Sequence, residues 1–222
     1  MSNKTSKIIT LILDILITIM VITSLFMMVL GGTGTLSVQG LDAFKYFTVD
    51  SNALMGLCAL VLVPFDILVL LGKKEKTPKA IKVLFHIGLV GVTLTLLTVL
   101  FFLGIIYGYQ NMFLGANLFM HLLTPVTALI RFIFFGNDEG EMQIFPCTIY
   151  GTIPMIIYGI VYFINVGVHG GYGDVNYDWY MFGAGGPWTA PLIFLAMLSF
   201  TYGISFLTYF VSKKVRKKLY KQ

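Results

Sequence analysis

The chain has 222 residues, 57% of them hydrophobic and 11% charged, with a mean hydropathy of +0.87. A soluble domain carries about 25% charged residues, so a water-soluble globule is excluded and one helical membrane domain over residues 1–222 is expected. The net charge of +5 does not indicate a nucleic-acid partner, because the basic residues flank apolar runs, where membrane topology accounts for them.

Six apolar runs are each long enough to cross about 30 Å of hydrocarbon at roughly 1.5 Å per residue. They are continuous rather than alternating, which argues for helices and against a β-barrel. The first covers 8–30. Lys4 and Lys7 precede it as in a secretory leader. Its run of about 23 residues exceeds a leader's 7–15, however, and no A-x-A site follows. The second covers 45–71 and opens with "KYFTVDSNALMGL". The third covers 80–107, and the fourth, 115–136, contains "NLFMHLLTPVTALIRF". A tight polar turn, "GNDEGEMQ", leads to the fifth, 144–165, and the sixth covers 187–211. Cys58 and Cys147 both fall within runs and read as packing residues, with no disulfide framework implied. The fold class expected is an all-α integral membrane bundle of six helices.

Orientation follows from charge. All of the fifteen basic residues except Lys45 lie at the termini, between runs two and three, or at the inner end of run four. The excess of Lys and Arg marks the cytoplasmic side, so both termini are cytoplasmic. The tail "KKVRKKLYKQ" is a stop-transfer anchor that can also touch anionic lipid.

Polar residues inside the runs are the candidates for function, since each is costly unless paired. Thr48 lies about four residues, roughly 5 Å, below the outer face, and His121 about six residues, roughly 9 Å. Thr48 shares a helix face with Ser51 and Asn52, whereas Asp50 points to the flank. On run four, Asn117, His121 and Thr124 form one polar stripe, and Pro125 allows a kink beside it. A second set, Asp14, Asp66 and His86, lies toward the cytoplasm, where an Asp–His pair would serve as a structural link or a proton path. The outer loop "NVGVHGGYGDVNYDWYMFGAGGPW" reads either as an interfacial aromatic belt or as a flexible lid.

A hydroxyl with a neutral imidazole at one depth suits nucleophilic attack on an ester. Asn52 and Asn117 are placed to orient the imidazole or steady an oxyanion, and Ser51 is an alternative nucleophile. The substrate class is a membrane lipid or fatty-acyl ester. No metal-ligand spacing is present, and no cofactor is implied. The rival reading is a small-solute or proton-linked transporter using Asp14, Asp66 and His86, although no internal repeat supports it. A non-catalytic membrane protein of the same architecture is the third.

The motif "KYFTVDSN" opening the second run, with "FMHLLTP" in the fourth, resembles the androgen-induced family of integral membrane proteins and its bacterial relatives. The resemblance covers most of the chain by span pattern and these two short motifs by residue. It implies a threonine-type hydrolase of fatty-acyl esters, with Thr48 as nucleophile and His121 as base. It also implies a multi-pass protein of a bacterial plasma membrane. The polar "VDSN" after Thr48 and the long outer loop depart from the animal pattern. Related six-span acyltransferases use a Cys, and Cys58 lies about ten residues too deep to match.

Overall fold

A computed structural model of the chain describes residues 3–31, 40–136 and 143–220. Six helices are long and apolar enough to cross a membrane: Lys4–Leu30, Phe47–Leu70, Lys79–Tyr107, Ala116–Phe135, Ile144–His169 and Thr189–Leu219. We number them one to six. The chain is thus an all-α, multi-pass membrane bundle, as the apolar runs require. The "GNDEGEMQ" turn lies almost wholly outside the described residues.

The third helix is central. It packs against helices two, four, five and six, and 56% of its apolar window is buried against 22–39% in the others. Gly88 and Gly91 make the closest approach possible. A Cβ on Gly88 would sit 3.1 Å from the Cα of Met55, and one on Gly91 would sit 3.0 Å from the Cβ of Ser51. Small residues at such crossings are what hold helices together in lipid, where no hydrophobic force acts between them. The main core lies among helices one to four, includes Ile17, Val21, Met55, Leu62, Phe85, Leu89 and Phe132, and extends to Tyr209 on helix six. Cys58 and Cys147 belong to it as free, buried thiols.

The sixth helix runs further than the apolar run 187–211, ending at Leu219. At 1.5 Å per residue its length is about 46 Å, more than the roughly 30 Å of hydrocarbon, so its last turns extend beyond the apolar layer. Lys and Arg are good helix formers and favour the negative end of the helix dipole, which explains the continuation. Lys213, Lys214, Lys217 and Lys218 are exposed there. Arg216 instead turns inward. Its guanidinium donates to the carbonyl of Gly136 and lies 5.5 Å over the Phe132 ring, which ties the tail to the end of helix four.

Candidate functional site

The fourth helix is irregular where its polar stripe lies. Its segment Phe119–Leu123 winds as a π-turn, and the N–H of Thr124 bonds to the carbonyl of Phe119. That shift leaves the carbonyl of Met120 to residue 125. Pro125 has no N–H to give. The side chain of Asn52 fills the deficit, donating from Nδ2 to Met120 at 3.1 Å. The same nitrogen donates to the carbonyl of Thr48 at 2.8 Å. One amide therefore clamps the start of helix two to the distorted turn that bears His121. π-turns of this kind recur at functional sites.

Asn52 also sets the register between helices two and four. They run in the same direction, and residue 52 is level with residue 120. Thr48, one turn earlier, is level with Ala116 and Asn117. Val49 packs against Ala116 and Met120 at the same height. His121 is thus about one turn, roughly 5 Å, deeper than Thr48. Asn117 and Thr124 are both buried beside it.

His121 is 7% exposed, and its Nδ1 lies 2.8 Å from the carbonyl of Met112 in the loop between helices three and four. A carbonyl only accepts, so Nδ1 carries the hydrogen. In the neutral ring, Nε2 is then a bare lone pair. Among the described residues neither Nε2 nor the Thr48 hydroxyl makes a hydrogen bond, and the two are not bonded to each other. Thr48 is half-exposed. Ser51 differs. It is 1% exposed, it points toward helix three, and its hydroxyl lies 3.3 Å from that of Thr95 and 3.1 Å from the carbonyl of Thr48. Asn52 has both of its N–H bonds committed, so it orients the two helices rather than donating to an oxyanion. Its Oδ1 and the Thr124 hydroxyl are buried without a partner. Such atoms are uncommon in a settled core.

The outer loop is ordered around Asp178, which is 0% exposed. Its carboxylate accepts from the Tyr162 hydroxyl and from the backbone N–H groups of Gly173, Phe182 and Gly183. Burial raises the pKa of this carboxyl, but those four donors together outweigh it and hold the value below the usual carboxylate range. The loop starts where Gly170, at φ +61, ends the fifth helix and the N–H of Gly171 closes on Val166 at 3.0 Å. It then folds over the outer end of helix two. The Tyr180 hydroxyl accepts the N–H of Phe47 at 3.0 Å, which is one of the donors a helix start leaves without an internal partner. Tyr158 donates to the carbonyl of Lys45 at 2.5 Å and accepts from Trp179 Nε1 at 2.9 Å. The loop is therefore a clasp on the peptide next to Thr48, not simply a belt of aromatic side chains.

The inner set does not come together as an Asp–His pair. Asp14 pairs with Arg131, which donates from Nε at 3.0 and 3.2 Å and from Nη2 at 2.9 Å. Arg131 also lies 4.3 Å over the Phe85 ring. From sequence Arg131 reads only as a topology marker; a basic residue five positions inside a helix end was the available signal. His86 instead meets Ser205 on helix six, Nε2 to Oγ at 3.0 Å. Ser205 donates to the carbonyl of Cys147 at 3.3 Å, and its Oγ then accepts from Nε2–H, leaving Nδ1 buried and unpartnered. Both residues are 0% exposed, so this is a helix-joining contact rather than a reactive one. Among the described residues no three His, Cys, Asp or Glu side chains gather as metal ligands.

Comparison with family models, with curated proteins and with solved structures returns no match.

Proposed function

We propose that this protein is an intramembrane hydrolase of a lipid or fatty-acyl ester, with Thr48 as nucleophile and His121 as general base. The observation that carries the reading is the imidazole held by Met112 so that Nε2 is left bare, on a turn clamped by Asn52 to the helix of Thr48. The Thr48 oxygen would attack the ester carbonyl while His121 Nε2 takes its proton. The tetrahedral adduct would collapse, and the same proton would leave on the alcohol. Water would then release the acyl chain from Thr48 by the reverse transfer. The offset of about one turn between the two side chains means that their hydrogen bond forms only as substrate or a helix adjusts, as in many unliganded sites. Ser51 is the weaker nucleophile, because it is buried and bonded elsewhere. A bacterial plasma membrane is the setting that the motif resemblance suggests.

Labelling of detergent-purified protein with a fluorophosphonate probe tests this. The expected result is labelling of the wild type that is lost in both Thr48→Ala and His121→Ala while their circular dichroism is unchanged. Labelling that persists in both variants would overturn the assignment.

A further inference from the structure

A cavity of about 40 Å³ opens at the cytoplasmic end between helices one to four, far from Thr48. Its polar lining is Lys7, Thr10, Asp66, Thr77, Lys82 and Arg131. Space of this size holds roughly two or three waters, or the head of one phosphate.

Two side chains in it, and one oxygen of a third, lack a hydrogen-bond or ion-pair partner among the described residues. The Lys7 ammonium is half-buried at the cavity and makes no ion pair. The Thr77 hydroxyl is on a residue only 8% exposed and makes no hydrogen bond. Asp66, also 8% exposed, interacts with Asp14 but keeps a buried Oδ2 with no donor. Thr10 spends its hydrogen on the carbonyls of Ser6 and Phe135, so it is an acceptor only. Arg131 is neutralised by Asp14. The basic side chains Lys7, Lys82 and Arg131 outnumber the carboxyls Asp14 and Asp66, which leaves a positive excess at the level of the inner headgroups.

We propose that this cavity binds an anionic phosphate bearing a neighbouring hydroxyl. The phosphate oxygens would take the Lys7 ammonium and the Thr77 hydroxyl, and the ligand's own O–H would donate to Asp66 Oδ2. The negative charge of the phosphate meets the basic excess of the site. Phosphate with an adjacent hydroxyl occurs in a phosphoglycerol headgroup of the inner leaflet and in inorganic phosphate itself. Basic pockets between helices on the cytoplasmic side are a known setting for such recognition.

The test is the melting temperature of the full chain in neutral detergent, titrated with short-chain phosphatidylglycerol, short-chain phosphatidylcholine or inorganic phosphate. Phosphatidylglycerol at about a hundred times its dissociation constant should raise the melting temperature by about 5–10 °C. Phosphatidylcholine, whose bulky cation has no hydrogen to give Asp66, should not. The shift should vanish in Lys7→Gln and Lys82→Gln and survive in Lys214→Gln on the exposed tail. Lys7→Gln, near the end of its helix, keeps the test valid if Lys82→Gln does not fold. An equal shift from inorganic phosphate, lost in the same variants, would identify the free ion as the source. No shift with either phosphate compound, or a shift that Lys7→Gln retains, would overturn the proposal.

Discussion

Replacing Asp14 with alanine should destabilise the bundle more than any other single deletion of a polar side chain. The Asp14 side chain is 0% exposed and that of Arg131 is 5% exposed. Arg131 keeps its charge under all ordinary conditions. Without Asp14 it is a buried cation that has lost the carboxylate accepting three of its hydrogen bonds. Removing one partner of such a pair costs about 3–5 kcal/mol. The lower figure is expected, because Asp66 lines the same cavity as Arg131 and can take over part of the role. Arg131→Met should cost less, since a stranded carboxyl, unlike a guanidinium, can neutralise itself by taking a proton. The double variant Asp14→Leu/Arg131→Met removes both charges and should lie within about 1 kcal/mol of the wild type. Unfolding in mixed micelles by rising dodecyl sulfate, followed through Trp179 and Trp188, measures all four proteins. A loss under about 1 kcal/mol for Asp14→Ala, or a double variant no better than the single one, would mean that the buried pair does not set the stability of the bundle.

Further outcomes follow from the outer site and the helix crossings. Asn52→Ala should cost about 1–2 kcal/mol by orphaning the Met120 carbonyl. It should cost less in a Pro125→Ala background, where residue 125 regains the N–H that Asn52 replaces; equal costs in the two backgrounds would sink the account of the π-turn. Asp178 has a folded pKa below its unfolded value, so its contribution is full above about pH 4 and is lost as pH falls through the lower folded value. Amide exchange at Gly173, Phe182 and Gly183 should therefore quicken on acidification beyond the intrinsic rate in the wild type, and should show no such acid step in Asp178→Asn. Gly88→Ala drives a methyl toward the backbone of Met55 and should cost about 1–3 kcal/mol in the same micelle titration.

The spans were legible because length and apolarity are local properties of the chain. Even so, helix one starts at Lys4 rather than residue 8, and helix five ends at His169 rather than 165. Helix ends are set by turn geometry such as the left-handed Gly170, not by hydropathy. The polar partners were not legible. Asp14 and Arg131 are 117 positions apart, and His86 and Ser205 are 119 apart. Periodicity assigns a residue to a face but does not say which helix that face meets. The common depth of Thr48 and His121 was readable from span starts to within one turn. The Met112 carbonyl that fixes the imidazole was not, because it belongs to a loop backbone with no signature. The loop residues Asp178 and Tyr180 read as interfacial polar and aromatic residues. Their role as a clasp depends on three N–H groups that only the folded loop aligns.

Everything proposed for the outer site turns on Thr48 being the reacting hydroxyl. Peptide mass spectrometry of the fluorophosphonate-treated wild-type protein locates the adduct directly. A phosphonylated Thr48 is expected, with Ser51 and Ser205 unmodified. An adduct on Ser205, the hydroxyl that does touch a histidine, or on Ser51, would contradict it.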